Sequence, residues 1–92
     1  MEKTNKREQA LFNFKKAKSH LEKVIKMTEE GKYCVEVMQQ NLAVIGLLKS
    51  SHQMLMENHL HSCFISAMSS GNQAKKNQMV EEILKVSKLV SR

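Results

Sequence analysis

Apolar residues recur three and four positions apart along most of the chain, the spacing that lines up one face of an α-helix. Leu11, Phe14, Ala17, Leu21 and Val24, with Ile25, predict a first helix from about Glu8 to Glu30. Gly31 suits the position just past its C-terminus, and the pattern resumes at once, so the turn must be short. The second helix is predicted over about 33–68 as one continuous element. Its core is Leu42-Ala43-Val44-Ile45-Gly46-Leu47-Leu48 and then Met54-Leu55-Met56, free of proline throughout. Ser69-Ser70-Gly71-Asn72-Gln73 reads as a linker. A third helix follows from about Lys75 to Val90, with Met79, Val80, Ile83, Leu84, Val86 and Val90 on its apolar side. The polar opening, Met1 to Arg7, is expected to fray.

The expected fold is therefore all-α: a three-helix protomer with a long central helix, forming a single domain over residues 1–92. No proline, three glycines and 4% aromatic residues agree with packed helices and argue against a sheet. A chain of 92 residues cannot bury both faces of so long a helix, so oligomerisation is expected.

Net charge changes the picture next. The formal charge is +6, and between Lys3 and Lys26 eight cations face only Glu8 and Glu22, so that stretch has a net charge equal to the chain's whole excess. Such a face favours a polyanion. Interleaved aromatics are not expected on it, which argues against a stacking platform for single strands. Without an apolar leader or an 18-residue apolar run, the reading is a soluble cytoplasmic protein with no membrane partner. A reducing compartment leaves both cysteines as thiols.

Catalysis finds no foothold: there is no Ser/His/Asp set, no glycine-rich phosphate loop and no carboxylate pair in a plausible cleft. The chemistry lies instead in Cys34, His59 and Cys63. At about 100° per residue, His59 and Cys63 each fall within about 20° of Cys34 around a continuous α-helix. His59 and Cys63 are four apart and can clasp one ion. Cys34 lies roughly 37 Å away along the axis and reaches that ion only from a second, antiparallel copy. Two-fold symmetry then creates two S,N,S metal sites per dimer, with the crossing near Gly46. Against this stands the ordinary use of free cysteines as small buried hydrophobes and of lone histidines as packed side chains. The methionines of the second helix, Met38, Met54, Met56 and Met68, read as filler on a long interface. His52 reads as a packed or rim residue and His61 as a surface histidine.

Several segments together resemble the CsoR/RcnR/FrmR family of small helical repressors that sense metals or reactive small molecules. They are Ser19-His20-Leu21-Glu22, Lys26-Met27, Lys32-Tyr33-Cys34-Val35-Glu36-Val37-Met38, Ala43-Val44, Asn58-His59-Leu60-His61-Ser62-Cys63-Phe64 and Glu81-Glu82-Ile83-Leu84. The resemblance spans roughly residues 7–90, and its most specific part, Tyr-Cys followed by His and Cys 25 and 29 positions after the cysteine, is similar to the copper-sensing branch. It implies Cys34 with His59 and Cys63 of the partner subunit as ligands, with Tyr33 and Glu82 hydrogen-bonding around them. Two thiolates and an imidazole suit Cu(I). Zn(II) asks for a fourth ligand and Ni(II) for an N-terminal histidine or amine near position 2, where this chain has Glu2, so both rank behind copper. The resemblance also implies an antiparallel dimer, a dimer of dimers in the family, that binds operator DNA without metal and releases it with metal. The family's DNA-facing arginines correspond to Asn13 and Ser50, with Lys15, Lys16, Lys18 and Lys49 nearby to supply charge. A cytosolic copper-binding or buffering protein and a thiol redox sensor of the persulfide type are the alternative functions.

Overall fold

The computed structural model describes the backbone of residues 2–91 and the side chains of residues 6–89. Its elements are α1 (Glu2–Glu29), α2 (Cys34–His59), a π turn (Leu60–Phe64), α3 (Ile65–Met68) and α4 (Gln73–Ser91). No strand occurs among the described residues, in agreement with the all-α reading. The chain divides into two compact units, one ending at Asn58 and the other beginning at His59.

Helix α1 starts six residues before the predicted boundary. Glu, Lys, Arg and Gln are good helix formers and no glycine or proline interrupts them, so the polar opening continues the helix instead of fraying. Lys6 also reaches Glu57 of α2 at 3.2 Å, an exposed pair of small energetic weight. The far end of α1 closes as expected. Gly31 adopts φ +71°, its N–H donates to the Thr28 carbonyl at 3.1 Å, and the Lys32 N–H donates to the Met27 carbonyl at 3.0 Å. Those crossed bonds form a Schellman stop, satisfying carbonyls that the helix end would otherwise orphan.

Helices α1 and α2 pack antiparallel along small side chains. Ala10, Ala17 and Val24, each seven residues on, are buried on α1; Val44 and Ser51 are buried on α2, with Val37 and Leu47 packed alongside. Ser51 is fully buried and its hydroxyl donates to the Ala10 carbonyl at 3.1 Å, while Asn13 Nδ2 donates to Ser50 Oγ at 3.2 Å. His20 Nε2 and Gln40 Oε1 pair at 2.7 Å farther along. These pairings fix the register of the hairpin.

The expected stripe of α1 is corrected by this seam. Ala17 and Val24 are buried, but Leu11, Phe14, Leu21 and Ile25 are exposed in the protomer. A hydroxyl that spans to a main-chain carbonyl on the facing helix requires close backbones, and bulky side chains would hold them apart. On α2, Met38 is likewise exposed, so it does not fill the protomer core.

The second unit begins where α-helical hydrogen bonding gives way to the π turn, so the expected α-helix to Met68 is helical throughout but not α throughout. Ala67 of α3 is buried and α3 contacts α4. The linker proves shorter than predicted. Gly71 takes φ +81°, and Asn72 Oδ1 accepts the Lys75 N–H at 3.1 Å, capping α4 so that it starts at Gln73. On α4, Met79 and Ile83 are half-buried whereas Val80, Leu84 and Val86 are exposed; the Val90 side chain lies outside the described residues.

Two substitutions separate the causes. Ala17→Leu inserts bulk into the seam and is expected to cost about 1–3 kcal/mol, seen as a lower urea midpoint at fixed protomer concentration. Gly31→Ala meets no atom within 4 Å, so its expected loss of about 1–2 kcal/mol in the same measurement reports the left-handed backbone alone.

Candidate metal centre and nucleic-acid interface

Cys34 owes its position to the turn before it. After the Schellman stop only Lys32 and Tyr33 remain outside helix, and the Tyr33 carbonyl accepts the Val37 N–H at 3.2 Å, which starts α2 at Cys34. The Cys34 thiol is free and exposed, and the Tyr33 ring beside it in sequence is 69% exposed. Neither side chain is spent on the hairpin core.

His59 and Cys63 sit at the π turn. His59 is the last residue of α2 and caps the turn; Cys63 lies inside it. A π turn bonds i to i+5 and widens the coil, so the count of 100° per residue stops at His59. The two residues still stand about one turn apart. The imidazole is half-buried and the Cys63 thiol free and exposed. Such turns occur often at functional sites because they re-aim side chains without breaking the helix. The sequence carries no plain signal for this one.

Glu82 is exposed on α4, where its carboxylate accepts a hydrogen bond from Gln78 Nε2 at 3.3 Å. His61 is exposed and His52 half-buried, as their readings expected, and Glu81 is exposed. Among the described residues no three His, Cys, Asp or Glu side chains converge as a metal site within one protomer. The donor chemistry itself suits a soft ion: two reduced, accessible thiols and an imidazole, with no disulfide consuming them.

The lysines predicted for nucleic acid divide into two groups. Lys15 and Lys16 line an open groove with Phe12, Ser19, His20, Lys23 and Leu47. Lys18 and Lys49 are exposed but do not line it. The expectation of a basic face without aromatics is corrected here, because the Lys16 ammonium lies 5.4 Å from the centre of the Phe12 ring. The i, i+4 spacing of Phe12 and Lys16 was the available signal. Asn13 and Ser50 are half-buried and bonded to each other. No helix among the described residues is long and apolar enough to cross a membrane.

The family model for metal-sensitive transcriptional repressors matches residues 6–89. The copper-sensing transcriptional repressor CsoR of Mycobacterium ulcerans is 36% identical over 81 residues, covering 87% of this chain and 69% of that protein. The copper-sensing repressor RicR of Mycobacterium tuberculosis is 31% identical, covering 73% and 70%. CsoR of Bacillus subtilis is 28% identical, covering 92% and 81%. With the match running through both compact units, this chain belongs to the metal-sensitive transcriptional repressor family and is a regulator, not an enzyme.

Proposed function

We propose that the chain is a copper-responsive repressor whose metal-free oligomer holds operator DNA on the lysine face of α1 and releases it on binding Cu(I). The ligands are Cys34 of one subunit with His59 and Cys63 of the partner subunit. The observation that carries this reading is the retention of two free, exposed thiols and a half-buried imidazole in a chain whose relatives are named copper-sensing repressors. Cu(I), when bound, would link the two thiolates and the imidazole across the subunits, a soft donor set that suits it better than Zn(II) or Ni(II).

An antiparallel partner is supported by the apolar surface that the protomer leaves uncovered. Leu21 and Ile25 on α1, with Met38, Leu42 and Ile45 on α2, are exposed, and covering the part of each that remains open would contribute about 1 kcal/mol. Gly46 has no atom within 4 Å of an added Cβ, so its small size serves nothing inside the hairpin and leaves room for a second helix. Pairing of two such dimers completes the assembly, in the cytoplasm, where thiols stay reduced.

Release is a linkage between two sites. Copper binding at the subunit interface and DNA binding on α1 need a coupling of only about 1–3 kcal/mol, roughly 5–150-fold in DNA affinity. Tyr33 and Glu82 are the groups proposed to hydrogen-bond around the ligands, and recruiting Glu82 means giving up its bond from Gln78. A second reading, copper buffering without operator binding, is favoured by the Asn13–Ser50 bond, which occupies the two polar groups at the family's arginine positions.

Gel shifts on the duplex upstream of the chain's own coding sequence, under reducing conditions, separate these. Retardation that Cu(I) reverses supports the repressor; tight Cu(I) binding without retardation at low salt supports the buffer; oxidant-driven cross-linking that metal does not alter supports the thiol sensor. Cys34→Ala is expected to abolish high-affinity Cu(I) binding while leaving a helical oligomer. Mixing Cys34→Ala with Cys63→Ala chains should restore one complete site per mixed dimer, read by Cu(I) titration against a chelating dye; no recovery would mean the ligands come from one subunit. Glu82→Gln should keep copper affinity within about tenfold of the parent but reduce copper-driven release of DNA.

A further inference from the structure

We infer that Phe12 is a base-contacting residue, touching thymine methyl groups of a duplex that the surrounding lysines hold; this rests on the DNA-binding reading above. The placement of the ring on the helix points there first. At about 100° per residue, Lys16, Ser19 and Lys23 lie within about 40° of Phe12, whereas Phe14, Leu21 and Ile25 lie at least about 140° away. Phe12 therefore does not belong to the apolar stripe that a second copy would cover. It shares its groove with Lys15, Lys16 and Lys23 and is 62% exposed where Phe14 is 38%.

The ring is also oriented. Lys16 Nζ sits 5.4 Å from its centroid, a cation–π contact that holds the ammonium over one face and leaves the rest of the ring open to the groove. A lone apolar ring inside a cationic rim matches duplex DNA: phosphates outside for the lysines, a methyl-bearing groove floor for the ring.

Elimination leads to the same residue. Lysine contacts to phosphate position a duplex but do not distinguish sequences. The polar groups best suited to read a base edge near the centre of the hairpin, Asn13 and Ser50, are half-buried and spent on each other. Of the two apolar side chains of the groove, Leu47 is half-buried against α1 and Phe12 is exposed, so Phe12 offers the apolar contact that recognises the C5-methyl of thymine, a feature unique to that base in the major groove.

The test uses the full-length, metal-free protein and fluorescence anisotropy on two duplexes, the native upstream sequence and a scramble of equal length and composition. Phe12→Ala is expected to weaken binding to the native duplex about tenfold, within the range for losing one base-pair match, and to change the scramble less than about twofold. The slope of log affinity against log salt should not move. Lys16→Ala should instead weaken both duplexes and lower that slope by about 0.9. A native duplex carrying uracil for thymine should bind the parent protein about tenfold less well and Phe12→Ala no worse than before, since both changes delete one contact. Phe12→Leu, which keeps an apolar tip, should retain most of the preference, and circular dichroism should show unchanged helix content in each variant. Equal losses on both duplexes, or a parent protein indifferent to uracil, would overturn the assignment. A parent protein that binds neither duplex at low salt would remove the DNA reading along with it.

Discussion

The close approach of α1 and α2 is the constraint on which the hairpin depends. Ala10, Ala17 and Val24 recur every seven residues and face a second helix that presents Val37, Val44 and Ser51. Small side chains let two backbones come near enough for the Ser51 hydroxyl to reach a main-chain carbonyl of α1. The repeat is nearly degenerate under a shift of one heptad, so packing alone would specify register weakly. Polar pairs remove that degeneracy: slipping the helices would leave a buried serine hydroxyl without its acceptor and would part Asn13 from Ser50.

Spending the small residues inside has a consequence for the outside. Leu21, Ile25, Met38, Leu42 and Ile45 are left facing away from the seam, while lysines occupy the remaining side of α1. The hairpin thus carries an apolar surface suited to another copy and a cationic one suited to a polyanion, separated around the same helix.

The soft donors sit where regular α-helix begins or gives way. Cys34 opens α2 directly after the Gly31 stop, His59 closes it, and Cys63 follows within the π turn. Helix interiors fix side-chain directions rigidly through i to i+4 bonding, whereas ends and π turns leave them more easily re-aimed.

Residue order alone determined the helical class, the breaks at Gly31 and at Gly71-Asn72 and the excess of cations between Lys3 and Lys26, and it singled out Cys34, His59 and Cys63 as candidate soft donors. Each of these follows from local rules: spacing, left-handed glycine, charge count and ligand softness act within a few residues. Tertiary structure decided which side of α1 turns inward. Hydropathy favours Leu11, Phe14, Leu21 and Ile25, but interhelical distance selects Ala10, Ala17 and Val24, and that distance is a property of two helices together. The same applies to Asn13 and Ser50, which lie 37 residues apart and meet only once the hairpin closes. The π turn after His59 was likewise not legible in the spacing of residues, because it departs from the regular winding on which that spacing relies.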